Sequence, residues 1–197
     1  MSFYFDKDTK VESKEVITKA EIGNTLFTFI TDNNVFSKRG LDFGTRTLLE
    51  NIKDIDGDIL DFGCGYGPIG IYLKKKFNVN VDMLDINERA LHLARKNAML
   101  NNVDVMIFES DIYEAVTKKY DYIITNPPIR VGKKILYDIL INAKNYLKKN
   151  GHLIFVINKD QGAKSAMHDL QEYYNVNLVV KNKGFFVIDC QNCWLID

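Results

Sequence analysis

Two short turns carry the residue types that could do chemistry. The first, Asp61-Phe62-Gly63-Cys64-Gly65-Tyr66-Gly67, ends an apolar run and precedes Pro68. Glycines at 63, 65 and 67 let a ligand approach the backbone without Cβ obstruction. A helix beginning near Pro68 would offer free N–H groups at its first turn, and proline there wastes no donor. That combination suits a nucleotide-like ligand bearing an anionic or carboxylate group. The second turn, Asn126-Pro127-Pro128-Ile129, closes the apolar run Tyr120–Thr125. Proline has no N–H, so this turn presents a stiff, acceptor-rich edge. The Asn126 side-chain carbonyl and the Pro127 backbone carbonyl could accept the two hydrogens of an amine. An amine conjugated to a ring is a weak nucleophile. Two acceptors favour its pyramidal form, with the lone pair aimed at an electrophile. Together the turns read as a device for setting an electrophile carried by a nucleotide-like ligand against a planar nitrogen, by positioning and electrostatic matching.

The elements that must hold these turns follow from hydrophobic periodicity. From Gly44 onward, strand candidates at 58–62, 79–84, 103–108, 121–125, 152–157, 176–181 and 185–190 alternate with helices. One helix carries Leu136, Ile139, Leu140, Ala143 and Leu147 on one face. Its end is expected at Lys148-Lys149, stopped by Asn150-Gly151. Another spans about Glu88 to Leu100. The pattern predicts a Rossmann-like α/β fold, with a seven-stranded, mostly parallel sheet and helices on both faces. Ligands of such sheets bind beyond the carboxyl ends of the strands, near the switch point, where both turns fall. Asn182-Lys183-Gly184 is too short for a parallel crossover, so the last strand should run antiparallel. Residues 1–43 read as a β-rich extension packed on the core, with Leu26–Ile30 strand-like and a turn at Asp32-Asn33-Asn34. Residues 44–197 form the main part of what is expected to be one structural domain.

The bulk properties narrow the classes. A chain of 197 residues favours one domain with a sizeable core. Hydrophobic residues at 46% and charged residues at 26% give a soluble globular balance. Twenty-six basic and 26 acidic side chains cancel, so nucleic-acid binding must rest on local patches. No apolar stretch approaches the roughly 20 residues needed to span a bilayer. The start has no signal-peptide pattern. The three cysteines lack framework spacing and suit a reducing cytoplasm. Cys190 and Cys193 have redox or zinc spacing but no second pair, and read as buried or incidental thiols; no metal is expected.

Gly65-Tyr66-Gly67-Pro68-Ile69-Gly70 also matches the dinucleotide fingerprint G-x-G-x-x-G, and Asp85 follows about 20 residues later. A nicotinamide cofactor is disfavoured because no acid or base for hydride transfer is evident. His92, His152 and His168 all fall inside predicted helices or strands. A tight turn without a ligand is the plain alternative.

Asp61 and Gly63 extend the motif to Asp-x-Gly-x-Gly-x-Gly. An acid ends the second strand, Asp111 follows the third and Asn-Pro-Pro the fourth. This order resembles class I S-adenosylmethionine-dependent methyltransferases, from about Phe36 to the C-terminus. The resemblance implies S-adenosylmethionine as cofactor, with Gly63, Cys64, Gly65 and Gly67 facing its methionine part. Asp61 would reach the amino group, Asp85 with Ile86 the ribose, and Asp111 with Ile112 the adenine. Thr45 sits near the cofactor or caps the first helix, and Asn126 borders both ligands. Relatives acting on adenine, glutamine or cytosine amines usually carry an aromatic residue where this chain has Ile129. The string Asn126-Pro-Pro-Ile-Arg-Val-Gly132 instead resembles small-subunit (16S) ribosomal RNA guanine-N2 methyltransferases. So do Val35-Phe36-Ser37, Asp42-Phe-Gly-Thr45 and Gln161-Gly-Ala-Lys-Ser165. The chain resembles only the catalytic half of the two-domain members. The implied activity is methyl transfer to guanine N2 of ribosomal RNA. The alternatives are a glutamine-amide protein methyltransferase and a non-catalytic cofactor- or RNA-binding module. The expected partner is ribosomal RNA or a small-subunit particle, in the cytoplasm, with no membrane and with a homodimer allowed.

Topology sorts the basic residues. Lys74-Lys75-Lys76, Lys118-Lys119 and Lys148-Lys149 belong to the far edge of the sheet, the first and last sets as helix C-terminal charges. Arg130, Lys133, Lys134, Lys159, Lys164, Lys181 and Lys183, with Lys38 and Arg39, converge on the expected pocket mouth and could contact phosphates. A mixed solvated surface is the alternative. Phe36 and Phe185 are candidate walls for a stacked base, or plain core residues.

Overall fold

Burial alternates along Thr25–Thr31 but is continuous over Ile59–Phe62, which separates two kinds of strand. The first packs one face and the second packs both. The computed structural model describes residues 12–33, 35, 37, 40–128 and 132–193. Strands β1 (Val16–Ile22) and β2 (Thr25–Thr31) form an antiparallel hairpin. Helix α1 (Phe43–Asn51), strand β3 (Asp58–Phe62), helix α2 (Pro68–Phe77), strand β4 (Asn80–Asp85) and helix α3 (Glu88–Leu100) follow. Strands β5 (Met106–Glu109) and β6 (Tyr120–Thr125), helix α4 (Lys133–Asn142) and strand β7 (Leu147–Asn158) come next. Helix α5 (Ala163–Asp169) and strands β8 (Asn175–Asn182) and β9 (Phe185–Gln191) complete the described chain.

Among the described residues seven strands form one sheet in the order β5-β4-β3-β6-β7-β9-β8. The first five pair in parallel, and β9 runs antiparallel between β7 and β8. Lys183 and Gly184 both have positive φ, at 44° and 86°. Two such residues make the tight hairpin turn that the short β8–β9 link requires. Strand order reverses between β3 and β6, so their carboxyl ends open a crevice. Alternate residues of β3 feed two cores. Ile59 joins Leu48, Ile71 and Leu93 on one side, and Leu60 joins Ile139, Leu140 and Ala166 on the other. No helix among the described residues is long and apolar enough to cross a membrane.

The hairpin belongs to the first of these cores. Phe27 and Phe29 are fully buried, and their rings meet Tyr72 and Tyr66 at centroid distances of 5.8 and 5.6 Å. Asn97 of α3 ties the hairpin down. Its Oδ1 accepts from the Ile30 N–H at 2.7 Å, and its Nδ2 donates to the carbonyls of Ile30 and Tyr66 at 2.9 and 2.8 Å.

Three elements differ from expectation. Helix α4 ends at Asn142, a 3-10 turn covers Ala143–Tyr146, and Leu147 already pairs with Tyr120. Lys148 and Lys149 therefore open a strand rather than close a helix. Lys148 bridges Asp58 and Asp121 at 2.8 Å each, at the amino ends of β3 and β6. This charge does lie far from the crevice, but its partners are side chains and not a helix dipole. Asn150, with φ of 61°, makes the kink before regular pairing resumes at His152. Strand β5 pairs only over Met106–Glu109, later than 103–108. Cys190 and Cys193 are free, and burial pushes the Cys190 thiol far up. Among the described residues no cluster of His, Cys, Asp and Glu could hold a metal.

Candidate active site

The glycine turn is built from two kinds of glycine. A Cβ on Gly67 would meet Met83 Cε at 2.9 Å, and one on Gly70 would meet Met83 Sδ at 2.6 Å. These two serve close packing of α2 on β4. A Cβ on Gly63 or Gly65 would meet nothing within 4 Å, although both have positive φ. They leave the backbone bare toward open space. The turn is held to its neighbour strand, since Cys64 N–H donates to the Leu84 carbonyl at 2.8 Å. Gly65 N–H donates to the Asp85 carboxylate, also at 2.8 Å.

A cavity of about 420 Å³ opens over this turn. Cavities of this order hold cofactors and drug-sized ligands. Its wall takes in the carboxyl ends of β3, β4, β6 and β7, the segment after β5, and the start of α1. Of the residues expected from the sequence, Gly63, Cys64, Gly65, Asp85, Ile86 and Ile112 line it. So do Thr45, Asn126, Pro127, Pro128 and Phe185. Asp61, Gly67 and Asp111 do not. Asp61 is fully buried beneath the turn, and its Oδ2 accepts the Gly70 N–H at 2.8 Å. Asp111 is exposed, while Ser110 and Ile112 on either side of it face the cavity. Ile129, Arg130, Phe36, Lys38 and Arg39 lie outside the described residues.

Burial sets the local electrostatics. The Asp61 carboxyl is pushed up to about 7, first by burial and then by the nearby Asp85 charge, against the Gly70 hydrogen bond. Burial also raises Asp85, opposed by the N–H groups of Asn87, Gly65 and Ile86. The Cys64 thiol is pushed well above its usual value by burial and by both carboxylates. It is no nucleophile at neutral pH.

Sequence reading missed several wall residues. Asp42 caps α1, its Oδ1 accepting from Thr45 N–H at 3.0 Å and its Oδ2 from the Thr45 hydroxyl at 2.5 Å. The Asn126 Nδ2 donates to Thr45 Oγ1 at 2.9 Å and to Asp42 Oδ1 at 3.4 Å. Asn158 and Gln161 form a reciprocal capping turn after β7. Asn158 Oδ1 accepts from Asp160 N–H, and Gln161 Oε1 accepts from Asn158 N–H, at 3.0 and 3.3 Å. The sequence pointed to Thr45 as the cap of the first helix, but the cap is Asp42, with Thr45 as its donor three residues on; the contact across 84 residues could not be read from the sequence.

The basic residues divide. Lys183 sits over the Phe43 ring at 5.2 Å, and Phe43 meets Phe185 at 5.7 Å between centroids. Lys159 lies against Gly184, and its N–H donates to the Gly184 carbonyl at 2.7 Å. These two lysines thus border the aromatic wall of the cavity. Lys133 instead lies over Tyr137 and 3.9 Å from Asp169, and Lys181 covers Phe186. Lys134 and Lys164 are exposed and do not line the cavity.

A mostly parallel seven-stranded sheet, an antiparallel strand near its end and a glycine-turn cavity at the switch point define a class I methyltransferase, the S-adenosylmethionine-dependent class. The chain belongs to the methyltransferase small domain family, whose family model matches residues 26–189. It is 40% identical over 192 residues to the uncharacterized protein YbxB of Bacillus subtilis (strain 168), covering 94% of this chain and 96% of that one. It is 34% identical to ribosomal RNA small subunit methyltransferase C of Psychromonas ingrahamii, over 86% of this chain and 50% of that protein. The solved structure of T. thermophilus 16S rRNA N2 G1207 methyltransferase, in complex with AdoMet and guanosine, superposes with a TM-score of 0.83 at 23% identity. That match covers 92% of this chain and 51% of the other. The chain thus spans about half the length of these two ribosomal RNA methyltransferases.

Proposed function

We propose that this protein methylates an exocyclic amine, and that the amine is N2 of guanine in ribosomal RNA. One observation carries the reading. The acceptor edge of Asn126 and Pro127 shares a single cavity with the bare glycine backbone and Asp85. The half-length identity with small-subunit methyltransferase C supports the same substrate class.

The wall fits S-adenosylmethionine by its donor and acceptor set. Asp85 offers carboxylate oxygens to ribose hydroxyls, and Ile86 and Ile112 offer apolar faces to an adenine ring. The Tyr66 hydroxyl is buried and has no hydrogen-bond partner among the described residues, although Tyr66 lines the cavity. An orphaned donor of this kind matches a carboxylate such as that of the methionine part. Asp61 Oδ1 is likewise unpartnered and stands ready as an acceptor behind the turn. When bound, the cofactor supplies a methyl group on a positively charged sulfur, already activated for transfer.

Everything else falls to the chain. Asn126 Oδ1 and the Pro127 carbonyl take the two amine hydrogens and hold the lone pair on line. Phe43 and Phe185 form an aromatic wall for an unstacked base. The carbonyls of Asn158 and Gln161 are spent on local backbone, so their amino groups are the ends left for a ligand. Guanine presents two acceptors, O6 and N7, on one edge, whereas adenine presents one acceptor and one donor. Two amide donors suit the former. After transfer the nitrogen's extra proton passes to water, so no strong base is required. Lys159 and Lys183 are placed to meet phosphates beside the base.

Incubation with tritiated cofactor and undermethylated small-subunit particles tests the proposal. RNase-sensitive label at guanine N2 is the expected result. Label that survives RNase and stays with protein would replace it with a glutamine-amide substrate. A further expectation concerns Asp85→Ala. Cofactor affinity measured by calorimetry should fall at least about tenfold, or ~1.4 kcal/mol. Unchanged affinity would take Asp85 out of the ribose site.

A further inference from the structure

An asparagine amide has two ends of opposite sense, and only one orientation helps an amine. With Oδ1 toward the cavity, Asn126 accepts an amine hydrogen. With Nδ2 there, it would set N–H against N–H. Something must choose, and the surroundings of Nδ2 do so. A carboxylate only accepts hydrogen bonds, so Asp42 Oδ1, 3.4 Å away, demands an N–H from Asn126. The Thr45 hydroxyl has one proton, and it is committed to Asp42 Oδ2 at 2.5 Å. The face of Thr45 Oγ1 toward Asn126 is therefore a lone pair, and it takes the amide N–H at 2.9 Å. Turning the amide over would put its carbonyl against a carboxylate and a lone pair.

The chooser is itself fixed. Thr45 is 2% exposed, and Asp42 is held as the N-cap of α1 by the Thr45 backbone N–H. We propose that Asp42 and Thr45 are positioning residues that lock the Asn126 amide with its carbonyl facing the substrate. The Thr45 hydroxyl acts through Asn126, its proton being held by Asp42. The catalytic consequence rests on the proposed role of Asn126, but the orientation can be read without any substrate.

The first test is therefore spectroscopic. In the intact protein the Asn126 side-chain amide protons, assigned by their loss in Asn126→Ala, should exchange slowly with solvent. In Thr45→Val, which keeps the shape and the backbone cap, exchange should speed up at least about fivefold. Thr45→Ser should restore protection. Equal exchange in the wild type and Thr45→Val overturns the proposal whatever the enzyme acts on. The second test is a double-mutant cycle with tritiated cofactor and undermethylated small-subunit particles. Thr45→Val should lower kcat about tenfold, with particle KM and calorimetric cofactor affinity changed by less than about twofold. The Thr45→Val, Asn126→Ala double variant should be no slower than Asn126→Ala alone. Losses that multiply, or a Thr45→Val defect confined to cofactor affinity, overturn the proposal. If Asn126→Ala leaves kcat intact, the assigned role of Asn126 fails instead, and the exchange result still decides how its amide is held.

Discussion

Asn126→Ala is expected to lower turnover at least tenfold, about 1.4 kcal/mol in the activation barrier, with cofactor affinity preserved. The substitution removes one of the two acceptors proposed for the reacting amine. Pro127 keeps its carbonyl in place, because the turn is held by two prolines and by the end of β6. The remaining acceptor binds one hydrogen and leaves the lone pair free to rotate off line. In the proposed reading the base is held by the aromatic wall and by Asn158 and Gln161, so KM should move less than kcat. That split marks an interaction that matters more in the transition state than in the ground state. Steady-state kinetics on undermethylated particles, paired with calorimetry for the cofactor, would measure both. A variant with full kcat would show that Asn126 is structural.

The second large effect concerns stability. Asn97→Ala is expected to cost about 3 kcal/mol, from lost hydrogen bonds that strand buried backbone groups. Asn97 is fully buried and satisfies the N–H and carbonyl of Ile30 and the carbonyl of Tyr66. Alanine takes the side-chain partner from all three and opens a void between α3, Ile30 and Tyr66. For a chain of this size each kcal/mol corresponds to roughly 2–4 °C in melting temperature. Denaturant unfolding followed by circular dichroism would read the change. A loss under about 0.5 kcal/mol would show that water replaces the side chain at little cost.

The sheet and its switch point were legible because β3 and β6 are apolar runs cut off by glycine and proline. Backbone restrictions of that kind are local, and sequence carries them directly. The antiparallel β9 was legible from the shortness of its link. The beginning of β7 was not. Lys148-Lys149-Asn150-Gly151 has the look of a helix terminus, but pairing with remote segments at Tyr120 and Asn192, with Lys148 held by Asp58 and Asp121, makes it a strand. The acids show the same division. Asp85 ends a strand and points into the cavity. Asp61 sits one residue before the end of β3, and the pleat sends it inward beneath α2. The flanks of Asp111, not Asp111 itself, reach the wall. Motif order names such residues together, but side-chain direction separates them. The hold of Asp42 and Thr45 on Asn126 joins two motifs that were each visible and whose meeting was not.

The hairpin joined to α3 has a consequence for any attempt to shorten this protein. Cutting the gene at codon 44, where the regular alternation of strands and helices begins, would strip the cover from Tyr66 and Tyr72. Tyr66 belongs to the glycine turn and lines the cavity proposed to take the methyl donor. A fragment so trimmed should lose grip on the donor although Asp85 and Asn126 remain, and it also gives up Asp42 and Phe43 from the cavity wall. The ornament at the amino end is thus a keystone, and a shuffled or fused descendant of this chain must carry it along.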